Sequence, residues 1–129
     1  MDTQLPKSVL FGTLLFFLLF AMTAKGADPR LEFGKGTEAF QAKDYEEARA
    51  AFERARRAGL DTPALWHNLG VTEYRLRDYA AAERAFVRAS ADPRWAQLAS
   101  YNLGLVAQRQ ERTDAAAKWF RQAQSGSNS

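Results

Sequence analysis

The chain has 129 residues, with 18 basic side chains, 15 acidic ones and no cysteine. Its length fits one domain of ordinary size and excludes a multidomain enzyme; the missing thiols exclude disulfides, thiolate zinc sites, cysteine nucleophiles and lipid attachment through cysteine. The formal charge of +3 includes Lys7, Lys25 and Asp2 of residues 1–26, and the small excess left beyond them falls short of the clustered charge of a dedicated nucleic-acid binder. Of the 18 basic residues 13 are arginine, a side chain that suits flat carboxylate or phosphate partners.

From Ser8 to Ala24 no residue is charged, and the run is built mainly from Leu and Phe behind Lys7. Its length falls between the apolar core of a secretory leader, about 7–15 residues, and a single membrane span, about 17–25. Residues 1–26 are therefore expected to be a signal peptide or an N-terminal membrane anchor. Ala24-Lys25-Gly26 offers small residues where a signal peptidase cuts, which would leave Ala27 as the mature N-terminus. A helix folded back onto the domain is disfavoured, because only Gly12 and Thr13 interrupt the run from Leu10 to Phe20. Either fate places the rest of the chain outside the cytoplasm, in the periplasm or anchored at the inner membrane, although Lys25 and Arg30 on the far flank weaken the charge bias.

Beyond residue 26 the sequence repeats itself every 34 residues. Gly36, Gly70 and Gly104 keep that spacing, as do Ala48, Ala82 and Ala116, Phe52, Phe86 and Phe120, and Ala55, Ala89 and Ala123. The units fall at about 29–62, 63–96 and 97–124 within a domain of 27–124. In the second, Thr62-Pro63 supplies an N-cap and a first-turn proline, apolar residues recur at Leu65, Leu69 and Leu76, and Arg77-Asp78 marks a turn. A second, amphipathic helix then carries Tyr79, Ala82, Ala85, Phe86 and Ala89 on one face up to Ser90, before Asp92-Pro93. Glycine in mid-helix costs about 1 kcal/mol relative to alanine. Close approach of the paired helix offsets this, with Ala48, Ala82 and Ala116 expected opposite the glycines. The third unit ends in a helix over 114–124, followed by a flexible tail over 125–129.

The pattern resembles the tetratricopeptide repeat over about Pro29 to Gln124. The second copy is the most faithful, with Trp66, Leu69, Gly70, Tyr79, Ala82, Phe86, Ala89 and Pro93 at or beside the family's signature positions. Glu73 and Ala107 stand where the family usually has tyrosine, which is expected to loosen packing there; Glu32 and Lys35 stand where tryptophan and leucine are expected. Pro93 comes one residue early, so the loop over Ala91 to Arg94 is expected to differ in shape. The fold class is thus all-α, an α-solenoid of three helix-turn-helix repeats behind the hydrophobic N-terminal segment. In architecture the chain resembles small extracytoplasmic repeat proteins of bacteria.

The resemblance implies a right-handed superhelix whose concave face, lined by the first helix of each repeat, holds a peptide or partner protein. The family's inward positions map to Phe33, Thr37, Phe40 and Gln41, to His67, Asn68, Val71, Tyr74 and Arg75, and to Tyr101, Asn102, Leu105, Gln108 and Arg109. Asn68 and Asn102 can hold a peptide backbone, Arg75 and Arg109 can bind carboxylates, and Phe33, Phe40, Tyr74 and Tyr101 can anchor apolar side chains. The two-carboxylate clamp of chaperone-binding relatives needs basic residues where this chain has Phe33, Leu98 and Asn102; only Asn68 fits, which argues against a chaperone tail.

No nucleophile with a base, phosphate loop or carboxylate dyad emerges, so no catalytic residue, cofactor or metal is expected. His67 stands alone, without further ligands for a metal. The expected activity is that of a non-enzymatic adaptor or scaffold at the outer side of a membrane. Two alternatives are a structural subunit of a membrane complex and arginine-mediated binding of an anionic polysaccharide or nucleic acid through Arg75, Arg109, Arg54, Arg56 and Arg57; nucleic acid is the less expected of these. No polar capping helix follows the third repeat, so Trp119 is expected at an uncovered end, in contact with a second copy or a partner.

Overall fold

Aspartate and threonine set the helix starts. In the computed structural model, which describes residues 6–7 and 26–126, Asp28 caps α1 (Pro29–Gln41), Asp44 caps α2 (Tyr45–Arg57) and Thr62 caps α3 (Pro63–Arg75). Asp78 caps α4 (Tyr79–Ala89), Asp92 caps α5 (Pro93–Arg109), and α6 follows over Thr113–Gly126. In each capped case a side-chain oxygen accepts from a backbone N–H of the first turn that has no partner within the helix. Proline opens α1, α3 and α5, where its missing N–H costs nothing. The uncharged segment 8–24, read as leader or anchor, lies outside the described residues; among those described, no helix is long and apolar enough to cross a membrane.

The first helix of every repeat ends in the same way. Lys43, Arg77 and Glu111, spaced by 34, adopt φ values of 62, 65 and 59°. The N–H of the following residue then reaches back five residues: Asp44 to the Ala39 carbonyl, Asp78 to Glu73 and Arg112 to Ala107, each at 2.9 Å. This left-handed cap reverses the chain into the second helix. Three side-chain-bearing residues thus occupy a conformation that ordinarily suits glycine.

Helices pair within repeats (α1 with α2, α3 with α4, α5 with α6) and between them (α2 with α3, α4 with α5). The first helices α1, α3 and α5 also meet in succession, while α2, α4 and α6 do not. The first helices are therefore the inner layer of a curved stack. What closes on each mid-helix glycine is a phenylalanine ring, not the expected alanine column: a Cβ on Gly36, Gly70 or Gly104 would lie 2.5, 2.6 and 2.5 Å from the nearest ring carbon of Phe52, Phe86 and Phe120. Ala48, Ala82 and Ala116 are buried beside them. One core cluster joins Ala48, Phe52 and Ala55 to Leu65, Leu69 and Ala85, and a second joins Ala82 and Phe86 to Leu103 and Val106. Each therefore spans a repeat boundary.

Several departures from the repeat pattern are absorbed by pairing rather than left loose. Glu73 is only 8% exposed and takes a hydrogen bond from Arg49 of α2 at 3.3 Å, while Ala107 is fully buried, so neither position loosens the stack. Glu32, at the tryptophan position of the first repeat, is buried and accepts from Arg54 at 2.7 Å and from Lys35 at 2.9 Å. One period later the same two columns hold Trp66 and Arg88, with the guanidinium 4.7 Å from the ring centroid. An ion pair and a cation–π contact thus fill equivalent sites.

The early proline has a larger effect than a reshaped loop. α5 begins at Pro93 and runs 17 residues, against 13 for α1 and α3. It carries an extra N-terminal turn, so the third unit opens ahead of residue 97. At the other end, α6 extends beyond Gln124: Ser125 and Gly126 continue the helix, the former donating to the Gln122 carbonyl at 2.8 Å. The tail expected from residue 125 is helical for its first two residues.

Candidate functional site

On the inner layer, Thr37, Phe40 and Gln41 of α1 face His67, Asn68 and Val71 of α3 across a pocket of about 320 Å³, floored by Phe52 of α2. Spacings of three and four residues put each trio on one helix face. Six of the groove residues expected from the repeat alignment (Thr37, Phe40, Gln41, His67, Asn68 and Val71) are gathered here. No lining side chain is an acid, a lysine or an arginine. The Thr37 hydroxyl is occupied by the Phe33 carbonyl at 3.1 Å. The Asn68 side chain bonds no other described residue, so its amide is open to a ligand.

His67 forms the wall toward the next repeat. Its ring lies 5.2 Å from Trp95 and 6.0 Å from Phe86, centroid to centroid. Nδ1 is buried without a hydrogen-bond partner among the protein atoms. Burial holds the imidazole below its usual pKa, because a charge there would lose water and gain no carboxylate. Asn102, one period after Asn68, likewise has a buried, unbonded Nδ2.

Other expected groove residues go elsewhere. Phe33, half-buried, packs its ring on Phe52 at 5.6 Å and lies outside the pocket lining. Tyr74 packs edge-on to Tyr79 at 5.6 Å and accepts from Arg109 Nε at 2.8 Å through its hydroxyl. The Arg75 guanidinium stands 6.0 Å from the Tyr45 ring. Arg75 and Arg109 form no ion pair with a described carboxylate; each sits in the last turn of its helix, where the backbone dipole favours a cation. Leu105 is half-buried and Gln108 exposed on α5.

Trp119 is not at the open end. It packs inward on Ala82, Phe86, Leu103 and Val106, in the column that Ala51 and Ala85 occupy in earlier repeats. The outer face of the third repeat instead presents Leu98, Tyr101 and Phe120, with Tyr101 half-exposed and 5.7 Å from the Phe120 ring. The arginines considered for polymer binding are also partly committed: Arg54 pairs with Glu32 and Glu47, and Arg56 with Glu53.

One pocket residue escapes the repeat alignment: Phe52 is a core position by its column. Trp95, which backs the His67 wall, also escapes it, because it lies in the extra turn of α5, which has no counterpart one period earlier. The spacing of Pro93 from Pro63, four short of the period, is the signal that reveals that turn. Among the described residues no group of three metal-ligating side chains converges. The sequence model of the tetratricopeptide repeat matches residues 33–97 and 72–129. No curated protein matches the chain.

Proposed function

Because this chain belongs to the tetratricopeptide repeat family, whose repeats mediate protein–protein interaction, we propose that it holds an extended peptide of a partner protein along α1, α3 and α5. One observation carries this reading: side chains from two successive first helices converge on a pocket with an aromatic floor and an open amide, Asn68. Apolar contact supplies affinity there, and the amide fixes the backbone of the bound strand. Selection of random dodecapeptides displayed on phage against the full chain tests it. Enriched peptides should lose about tenfold or more in affinity for Asn68→Ala/Val71→Asp, the loss expected when an anchor and a paired amide are removed together. Retention of full affinity by that variant would refute a groove between α1 and α3.

The adaptor is placed at the outer side of a membrane, as a periplasmic or membrane-anchored scaffold within a larger complex. The uncharged run from Ser8 to Ala24 behind Lys7 supports this placement. N-terminal sequencing of the mature protein distinguishes its two forms: Ala27 at the N-terminus means a released domain, and Met1 means an anchored one. A mature chain in the cytoplasmic fraction would overturn both.

A further inference from the structure

The wall that His67 forms is chemically one-sided. Each neighbour it meets is uncharged: Thr37, Phe40 and Gln41 on α1, Phe52 on α2, Asn68 and Val71 on its own helix, Phe86 on α4 and Trp95 on α5. Nδ1 is shut off from water without an acceptor, whereas Nε2, which is neither bonded nor buried without a partner, keeps access to solvent. A neutral ring satisfies this arrangement with its proton on Nε2. A protonated ring does not, because its second N–H would be buried with nothing to accept it.

Occupation of the pocket sharpens that asymmetry. A side chain seated against Phe40, Phe52 and Val71 would exclude water from the pocket that His67 lines, and with it the solvation that an imidazolium needs. On the reading of this groove as a peptide site, we propose that its pocket selects an uncharged, apolar side chain of the bound peptide and that protonation of His67 releases it. The apolar class follows from the lining, since a lysine or a carboxylate entering there would meet no opposite charge. The release follows from reciprocity: a ligand that prefers neutral His67 lowers the proton's affinity by the same factor by which the proton lowers its own.

His67 is the one histidine of the chain, so its ring protons report without ambiguity. The test titrates the full chain, labelled at histidine and at backbone amides, with N-acetyl-phenylalaninamide, N-acetyl-leucinamide and their lysine and aspartate analogues. The two apolar amides should shift the signals of Thr37, Gln41, Asn68 and Val71, and the charged analogues should not. At saturation they should move the His67 midpoint down by about one unit, which corresponds to a roughly tenfold weaker affinity for the protonated form. Affinity should accordingly fall as pH drops through the free midpoint and level off about tenfold lower once pH lies below the bound midpoint, and this pH dependence should stay within about twofold in His67→Gln, which keeps a polar side chain but cannot take the proton.

The wild-type midpoint alone is decisive even if the variant misfolds. Apolar amides that bind while the midpoint stays put overturn the proton linkage and leave the groove standing; equal binding of the charged analogues overturns the selection. If neither these probes nor the phage-selected peptides perturb the groove signals, the peptide reading fails as well.

Discussion

Replacing Gly70 with alanine would put a methyl group 2.6 Å from Cε1 and 2.7 Å from Cδ1 of Phe86, far inside the contact distance of about 3.5–4.0 Å between carbons. The ring has no room to retreat, being 1% exposed and packed with Ala82, Leu103 and Val106. Two effects oppose each other. Alanine gains about 1 kcal/mol of helix propensity over glycine, whereas crowding a filled core costs ~1–3 kcal/mol. With two ring atoms approached this closely the cost lies at the upper end, and the net loss is about 2 kcal/mol, or ~8–16 °C in Tm for a domain of this size. Gly34, in the same kind of helix, has nothing within 4 Å of an added Cβ; its alanine variant should gain ~0.5–1 kcal/mol. Gly104 falls between, because its ring, Phe120, is only half-buried and can swing outward. Far-UV circular dichroism of thermal and urea unfolding, on full chains at equal concentration, should rank the three variants Gly34→Ala, Gly104→Ala, Gly70→Ala from most to least stable. A Gly70→Ala protein as stable as Gly34→Ala would refute the claim that the ring sits on the glycine.

Arg77→Gly should stabilise the fold by about 1 kcal/mol, since glycine adopts the left-handed cap that costs other residues ~1–2 kcal/mol; a fall in Tm would show that the arginine side chain supplies more than the strain it bears. Asp78→Ala removes the oxygen that accepts the Ala81 amide at 3.0 Å and should cost about 1 kcal/mol, read from the urea midpoint at unchanged slope. Burial raises the Glu73 pKa above its unfolded value, with Arg49 opposing. The folded chain therefore holds the proton over a range where the unfolded one has released it, and stability falls as pH rises from about 4.5 through the folded midpoint. The Tm of wild type should drop relative to Glu73→Gln over that interval, and an opposite trend would sink the assignment. His67 has the reverse sign: its pKa is lowered by burial, so its contribution is present above about 6.5 and declines as pH falls toward the folded midpoint. His67→Gln should flatten the acid side of the Tm profile.

The 34-residue period was legible because every repeat poses the same steric problem at the same register, so glycine, alanine and phenylalanine recur in columns. Most of the pocket was legible for a related reason: positions three and four apart on a first helix share a face, and Thr37, Phe40, Gln41, His67, Asn68 and Val71 needed only their columns to be found. What spacing does not encode is the rotational phase of one helix against its partner. That phase decides that Phe52, Phe86 and Phe120, not the alanines, close on the glycines, and that Phe33 lies against Phe52 rather than in the pocket lining. The left-handed column of Lys43, Arg77 and Glu111 carried no glycine to announce it. The inward packing of Trp119 was readable from Ala85, one period earlier, which packs against the preceding repeat.

The extra turn of α5 has a consequence for how such an array changes over time. Residues added at the N-terminal end of a helix leave everything downstream in place: Leu103, Gly104 and Val106 keep their neighbours whether the helix opens at Pro93 or a turn later. Length at that end is therefore a degree of freedom separate from the periodic core, and it can be spent on a single repeat. Here it brings Trp95 against His67 and makes one of the two gaps between first helices unlike the other. An array assembled by duplication acquires individuality most cheaply at the ends of its helices, where an insertion is felt by the neighbouring groove and by nothing else.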